Sequence, residues 1–245
     1  AIGLMLAVTR NIVIANNRVR NGEWKPAIGV DVCFKTLGIF GFGAIAKNVA
    51  RRANGFGMKV LAYDPYVKEV PEEFKSFVTL SSIDEIIKNA DIISMHLPLT
   101  DETRDMIAAK EMAAMKEGAY IINTARGGIV NEHDLYEAVK SGHIAGAALD
   151  VSEQEPMAED NPLRTLENVI ITPHIGMYSE EAIEAVSMIC AENAAALLTR
   201  GGDIIRSQTY SALFPLLAVA AIYLVIVCFL TYLVGRLERR LRNNE

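Results

Sequence analysis

The chain has 245 residues, of which 51% are hydrophobic and 22% are charged, and its formal net charge at pH 7 is −6. This composition predicts a folded domain with a sizeable core and excludes a disordered chain. The acidic balance argues against a nucleic-acid-binding protein, because basic residues are scattered except near the carboxyl end. The three cysteines are too widely spaced for a disulfide framework or a zinc site, and they indicate free thiols in a reducing compartment: Cys33, Cys190 and Cys228.

The amino-terminal stretch, residues 1–15, is rich in apolar residues but begins without Met or a basic region. It therefore lacks the pattern of a secretory signal. We interpret it as a helix that continues from a longer protein, so we expect an upstream segment before Ala1.

Between Thr36 and Ile171, short apolar runs alternate with amphipathic stretches, which is typical of repeated strand–helix–strand units. The pattern predicts an α/β fold built on a doubly wound parallel sheet, whose strands are covered on both faces. The predicted strands are residues 36–40, 59–63, 92–95, 120–123, 144–149 and 169–171. Three polar residues are predicted to cap the starts of helices: Ser82, Asn131 and Ser179.

A glycine-rich turn follows the first predicted strand and has the sequence Gly41-Phe-Gly43-Ala-Ile-Ala46. In such a fingerprint the first glycine permits a tight turn and the second lets the backbone approach a pyrophosphate. Asp64 ends the next strand, where a carboxylate can bind the ribose hydroxyls and would repel a 2′-phosphate. Because Pro65 and Tyr66 add no cation, the pattern predicts an NAD site in preference to an NADP site.

Three side chains suited to hydride-transfer chemistry follow successive predicted strands: Arg126, Glu155 and His174. A guanidinium can grip a carboxylate at two points and polarise a neighbouring carbonyl. An imidazole can accept a hydroxyl proton near neutral pH, and an adjacent carboxylate orients it. Each residue also has a plain structural interpretation, but their joint position at the ends of neighbouring strands favours an active site.

Residues from about Ile2 to Arg206 resemble the D-isomer-specific 2-hydroxyacid dehydrogenases, the family of phosphoglycerate, glycerate and formate dehydrogenases. Besides the glycine fingerprint, the matching motifs are Gly3-Leu-Met-Leu-Ala-Val-Thr-Arg-Asn11, Asn21-Gly-Glu-Trp24, Ser94-Met-His-Leu-Pro-Leu-Thr100, Asn123-Thr-Ala-Arg-Gly-Gly128, Glu155-Pro156 and Thr172-Pro-His-Ile-Gly176. The resemblance implies an NAD-dependent oxidoreductase that acts on a small D-2-hydroxy acid or its 2-keto acid.

The resemblance also implies roles for individual residues. Arg126 would anchor the substrate carboxylate, Glu155 would tune the histidine, and His174 would be the general acid and base. The residues expected to line the NAD site are Gly41, Gly43, Ala44, Ile45, Asp64, Leu97, Pro98, Thr124, Ala125, Arg126, Asp150, His174 and Gly176, with Asp150 at the carboxamide. We expect His96 to shape the cofactor rim and, because His133 and His143 lack ligand partners at a useful spacing, no metal site.

The carboxyl-terminal tail differs from that family. Residues 213–234 form an uncharged apolar run, which predicts a transmembrane helix, with a buried soluble helix as the alternative. From about Ser207 the tail resembles the last membrane helix of polar amino-acid ABC-transporter permeases, through the strings Tyr223-Leu-Val and Glu238-Arg-Arg-Leu241. The arginines after the run would hold its end in the cytoplasm and place the dehydrogenase outside, away from NAD. We therefore interpret the tail as a junction between two genes.

The predicted organisation has three parts. Residues 1–176 form the NAD-binding domain with its amino-terminal helix, residues 177–206 form a helix that returns to a substrate domain, and residues 207–245 form the membrane helix and basic tail. The catalytic portion is expected in the cytoplasm and, by family resemblance, as a homodimer. The alternative is a non-catalytic NAD-binding module that is similar to the family's corepressor relatives, whether or not it is tethered to a membrane. A third hypothesis is a transporter subunit.

Overall fold

The computed structural model describes residues 1–209 and 213–242. The described chain divides into two compact units, of which the first is Ala1–Gly176 and the second begins at Met177. The first unit contains the parallel sheet and every residue that the sequence assigns to the cofactor or to catalysis.

The first unit contains a seven-stranded sheet in which every pair of neighbouring strands is parallel. The strands are β1 Thr36–Phe40, β2 Lys59–Tyr63, β3 Val78–Leu80, β4 Ile92–Met95, β5 Ala119–Asn123, β6 Ile144–Leu149 and β7 Val169–Ile171. Their spatial order is β3-β2-β1-β4-β5-β6-β7, so the winding reverses between β1 and β4. Ligands bind at such a switch point, outside the carboxyl ends of the strands.

The helices of the first unit are α1 Ile2–Thr9, α2 Ile12–Arg20, α3 Ala44–Gly55, α4 Ile83–Asn89, α5 Ala109–Ala114 and α6 Glu132–Lys140, with short 3₁₀ turns at Glu72–Phe74 and Pro162–Thr165. The Ser82 hydroxyl accepts the Glu85 N–H at the start of α4, and the Asn131 side chain accepts the Asp134 N–H at the start of α6. These contacts confirm two of the three predicted caps, and the third is confirmed where the Ser179 hydroxyl accepts the Ala182 N–H at 3.1 Å.

The two faces of the sheet bury separate cores because successive side chains of a strand point to opposite faces. Phe40, Ile93 and Ile121 pack with α4, α5 and α6 on one face. Leu37 and Ile39 pack with α1 and α3 on the other. Helices on both faces of a parallel sheet confirm the predicted doubly wound α/β fold.

Two details of the first unit differ from the predictions. Strand β3 was missed because the exposed, polar Thr79 interrupts its three residues, so it lacks the continuous apolar run that predicted the equally short β7. The amino-terminal stretch is not one helix, since Asn11 adopts a left-handed backbone with φ 51° between α1 and α2. Its side-chain amide donates to the Ile28 carbonyl at 2.7 Å, which stabilises this break. Asn tolerates that conformation better than most residues.

The second unit contains α7 Glu180–Thr209 and α8 Leu213–Arg242. Helix α7 continues through Gly201 and Gly202 and ends at Thr209, three residues beyond the helix predicted over 177–206. Glycine costs about 1 kcal/mol in a helix but, unlike proline, it removes no hydrogen bond. In the part of the chain that the structure describes, no helix is long and apolar enough to cross a membrane. The predicted transmembrane helix at 213–234 is therefore unsupported: α8 extends this run into the charged sequence that follows it.

We predict that Gly38→Ala destabilises the first unit. A Cβ at Gly38 in β1 would clash with the Ile86 side chain of α4 and lie 3.0 Å from Ala90 Cβ. Overpacking of this kind costs about 1–3 kcal/mol, measurable as a lower free energy of urea unfolding. Gly55→Ala is the matched control, because a Cβ there meets no heavy atom of the described residues within 4 Å. Equal stability of the two variants would contradict this packing.

Candidate dinucleotide and active site

The glycine-rich turn after β1 leaves backbone donors open to a ligand. Gly41 has φ 88°, and a Cβ there would lie 2.6 Å from the His96 carbonyl oxygen, so this position requires glycine. A Cβ at Gly43 would meet no heavy atom of the described residues within 4 Å. Gly43 caps α3 without a side chain, and the first residues of the helix, Ala44 and Ile45, are exposed. The free N–H groups of this helix start fit a pyrophosphate.

Asp64 lies at the end of β2, beside this turn. Its Oδ2 accepts the Phe42 N–H at 2.8 Å, and its Oδ1 accepts the Tyr66 N–H at 2.9 Å. Each carboxylate oxygen can accept a further hydrogen bond. The carboxylate is therefore held beside the turn while it keeps capacity for the two hydroxyls of a ribose, and the structure fits the dinucleotide that the sequence predicts.

The residues after β4 form the next part of the edge. Leu97 is half-buried and Pro98 is exposed. The preceding His96 bonds through Nε2 to the Ser94 hydroxyl at 2.9 Å, and its N–H donates to the Phe40 carbonyl. Burial, and to a lesser extent the positive charge of the amino terminus, lower the pKa of His96 to about 4. His96 is therefore neutral near pH 7, and its carbonyl forms a wall of the turn beside Gly41.

The loop after β5 is shaped by Asn123, a buried residue that the sequence analysis did not single out. Its Oδ1 accepts the Ala125 N–H at 3.0 Å, and its Nδ2 donates to the Arg126 carbonyl at 2.9 Å. These two bonds fold residues 124–126 back over the end of the strand. The guanidinium of Arg126 is exposed and makes one local bond, to the Ala125 carbonyl at 2.7 Å.

Glu155 and His174 are in direct contact, as the sequence predicts. Glu155 Oε2 lies 2.9 Å from His174 Nδ1, and Glu155 Oε1 accepts the Ser152 N–H at 3.2 Å. The hydrogen bond to His174 lowers the pKa of Glu155, and the Ser152 N–H and the positive charge of Arg126 add to this shift against the effect of desolvation. A carboxylate that stays charged can hold the Nδ1 proton of the imidazole and direct Nε2 outward.

Asp150 fixes the backbone that carries His174. It is buried, and its Oδ1 accepts the Thr172 hydroxyl at 2.6 Å and the Ile175 N–H at 2.9 Å, while its Oδ2 accepts the Gly176 N–H at 2.8 Å. His174 between them has a left-handed backbone with φ 55°. The carboxylate that was predicted to bind the carboxamide is thus already bonded to the loop, with one oxygen able to accept further.

A pocket of about 390 Å³ adjoins the Glu155–His174 pair. Its walls are mainly apolar and include Val151, Pro156, Met157, Ile171 and Pro173. The pair therefore adjoins a mainly apolar pocket, and the charge of Arg126 acts on Glu155.

The fold and this edge define a class: a dinucleotide-binding dehydrogenase domain with an acid–imidazole pair. Residues 2–176 match the family model described as D-isomer specific 2-hydroxyacid dehydrogenase, NAD binding domain. The chain belongs to this family, and NAD is the cofactor of the matched domain.

Individual relatives agree with this assignment. The chain is 47% identical to a D-3-phosphoglycerate dehydrogenase of Methanocaldococcus jannaschii, over 78% of this chain and 37% of that protein. It is 43% identical to a glyoxylate reductase of Korarchaeum cryptofilum, over 79% of this chain and 60% of that protein. A crystal structure of D-lactate dehydrogenase from Aquifex aeolicus, complexed with NAD and lactic acid, superposes with a TM-score of 0.72 at 33% identity, over 81% of this chain and 64% of that one. The chain thus spans less than two thirds of each of these relatives.

We predict that His96 makes stability depend on pH. Because its pKa is about 4 in the folded chain against 6.5 for the free side chain, the unfolded chain takes up the proton first as pH falls. The stabilisation is complete above about pH 6.5 and is lost progressively towards about pH 4, by up to roughly 3 kcal/mol. Urea unfolding across this range should show a weaker pH dependence for His96→Gln than for the parent. His133→Gln, at an exposed position on α6, should keep the parent's dependence, and identical slopes for all three proteins would disprove the prediction.

Proposed function

We propose that the chain supplies the cofactor-binding and acid–base half of an NAD-dependent dehydrogenase for a small D-2-hydroxy acid or its 2-keto acid. The observation that carries this proposal is the 2.9 Å contact between Glu155 and His174 at the same sheet edge as the glycine turn and Arg126. Residues 1–176 would be the NAD-binding domain, and residues 177–206 would contact a substrate domain.

Bound NAD would accept or donate the hydride. Gly41, Gly43 and the start of α3 would hold its pyrophosphate, and Asp64 its adenosine ribose. Leu97 and Pro98 would border the adenosine, and Thr124, Ala125, Asp150 and Gly176 would lie along the nicotinamide half. The open helix start and the remaining acceptor capacity of Asp64 support this arrangement.

His174 would move the proton of the substrate hydroxyl. Since Nδ1 is engaged by Glu155, Nε2 is the atom that can accept this proton on oxidation and return it on reduction. Among the side chains that the structure describes, none forms a hydrogen bond to Nε2. Glu155 keeps the imidazole in one orientation through its hydrogen bond to Nδ1.

Arg126 would bind the substrate carboxylate. Its side chain is exposed, and the Asn123 contacts fix the backbone from which it extends. A two-point grip would place the reacting carbon between the imidazole and the nicotinamide, and orientation of this kind accounts for much of an enzyme's rate enhancement.

We further propose that the chain forms a homodimer through its first forty residues. Several large apolar side chains of this region are strongly exposed in the single chain, namely Trp24, Ile28 and Phe34. Large apolar side chains that are exposed within one segment of the chain support an interface there.

If Asp64 binds the ribose diol, Asp64→Ser should weaken NAD binding about tenfold and change NADP binding much less, because only NAD loses hydrogen bonds to the carboxylate. Calorimetric titration with both cofactors measures the two affinities. Asp160→Ser, which removes an exposed carboxylate elsewhere, is the charge-matched control. An unchanged ratio of NAD to NADP affinity in Asp64→Ser would exclude Asp64 from the site.

If Arg126 anchors the carboxylate, Arg126→Lys should weaken binding of a 2-keto acid to the NADH complex by about tenfold to a hundredfold. An ammonium cannot reproduce the two-point geometry. The affinity for NADH alone should hardly change, and both are measurable by quenching of NADH fluorescence. Arg164→Lys is the control for a conservative change at an exposed arginine. Equal losses of both affinities in Arg126→Lys would instead mark Arg126 as a fold or cofactor residue.

A further inference from the structure

Two loops of the site touch each other so closely that one of them needs a glycine. Gly127 follows Arg126, and a Cβ built on it would clash with the Ser152 carbonyl and lie 2.7 Å from the Glu153 backbone nitrogen. The loop that carries Arg126 is therefore packed directly against the loop that leads to Glu155. Any movement of one loop is transmitted to the other.

Glu132, the first residue of α6, bonds these loops together. Its Oε1 accepts the Ser152 hydroxyl at 2.8 Å and the Glu153 N–H at 2.7 Å, while its Oε2 accepts the Asn161 side-chain amide at 2.7 Å. In return its own N–H donates to Glu153 Oε1 at 2.9 Å. A carboxylate in the first turn of a helix commonly interacts with that helix's own N–H groups. Here the three donors come from the loops around the site.

The contacts of Glu132 continue to the imidazole. Ser152, whose hydroxyl bonds Glu132, donates its N–H to Glu155 Oε1, and Glu155 Oε2 contacts His174 Nδ1. Ser152 is buried, so its position is set by these bonds and not by solvent. One continuous series of hydrogen bonds thus joins the start of α6 to the acid–base group.

We propose that Glu132 and Ser152 are positioning residues that hold Glu155 in the orientation that keeps the His174 imidazole aligned. This inference rests on the proposed function for its catalytic consequence, since the aligned imidazole is the group assigned to proton transfer. It also gives a role to the buried Ser152 hydroxyl and to the Glu132 carboxylate, neither of which contacts His174 directly.

The first test reads the imidazole itself and needs no turnover. The chain has four histidines, so long-range ¹H–¹⁵N spectra of the histidine-labelled protein give few signals, and His174→Gln identifies the one from His174. At about pH 8.5, where free imidazoles are neutral, the Nδ1-protonated tautomer should dominate in the parent because Glu155 accepts that proton. Glu132→Gln and Ser152→Ala should shift the signal towards the Nε2-protonated form.

Glu137→Gln is the matched control, because Glu137 lies on the same helix and is exposed. It should keep the parent tautomer. Circular dichroism and thermal unfolding establish which variants are folded, and Ser152→Ala removes only one hydroxyl. Parent-like tautomer ratios in both folded variants would overturn the proposal, and so would unfolding of both, since the contacts would then be structural only.

The second test separates this inference from the proposed function. With NADH and a small 2-keto acid such as glyoxylate, both variants should oxidise NADH about tenfold to a hundredfold more slowly at saturating substrate, with NADH affinity unchanged. If the parent shows the predicted tautomer and its loss in the variants but binds neither NADH nor, in the presence of NADH, the 2-keto acid, the positioning role stands and the proposed function fails. If the tautomer shifts while the variants keep the parent rate, the catalytic consequence is wrong.

Discussion

The site depends on three neighbouring parallel strands, β5, β6 and β7, that end at the same level of the sheet. Asn123 of β5 is paired with Leu149 of β6, which is paired with Ile171 of β7. The ladder continues for one residue beyond the strands, as the Asp150 N–H donates to the Asn123 carbonyl and the Thr172 N–H donates to the Leu149 carbonyl, both at 2.9 Å. Because parallel strands in register release their loops at one edge, residues far apart in sequence emerge side by side.

Short polar side chains then hold these loops in place. A buried backbone N–H or carbonyl without a partner costs free energy, so loops over a sheet edge need donors and acceptors from side chains. Asn123 bonds the loop after β5, and Asp150 bonds the loop after β7. Glu132 bonds the start of α6 to the loop after β6. The side chains with proposed chemistry therefore extend from loops whose backbone is bonded at several points, which limits the motion that would misalign them.

The two halves of the site are built on different physical principles. The cofactor half uses backbone: glycines, an open helix start and a single carboxylate, Asp64, placed beside them. The acid–base half uses charge, with Glu155 kept ionised next to an imidazole and a guanidinium. Neutral His96 separates them at the switch point, where its carbonyl leaves room only for glycine at position 41. A protonated imidazole at this buried position would oppose folding.

The sequence by itself determined six of the seven strands and the doubly wound class, and it predicted the dinucleotide turn and roles for Asp64, Arg126, Glu155 and His174. These follow from local periodicity and from chemistry that few residue types can perform. Only the tertiary structure decided the contacts that hold them. Asn123, Ser152 and Glu132 read as ordinary polar residues at strand and helix ends, and their partners lie across the sheet edge, where no sequence spacing points. The break at Asn11 and the continuation of α7 through Gly201 and Gly202 were also undecidable locally, because a left-handed residue or a glycine pair can either end a helix or lie within one.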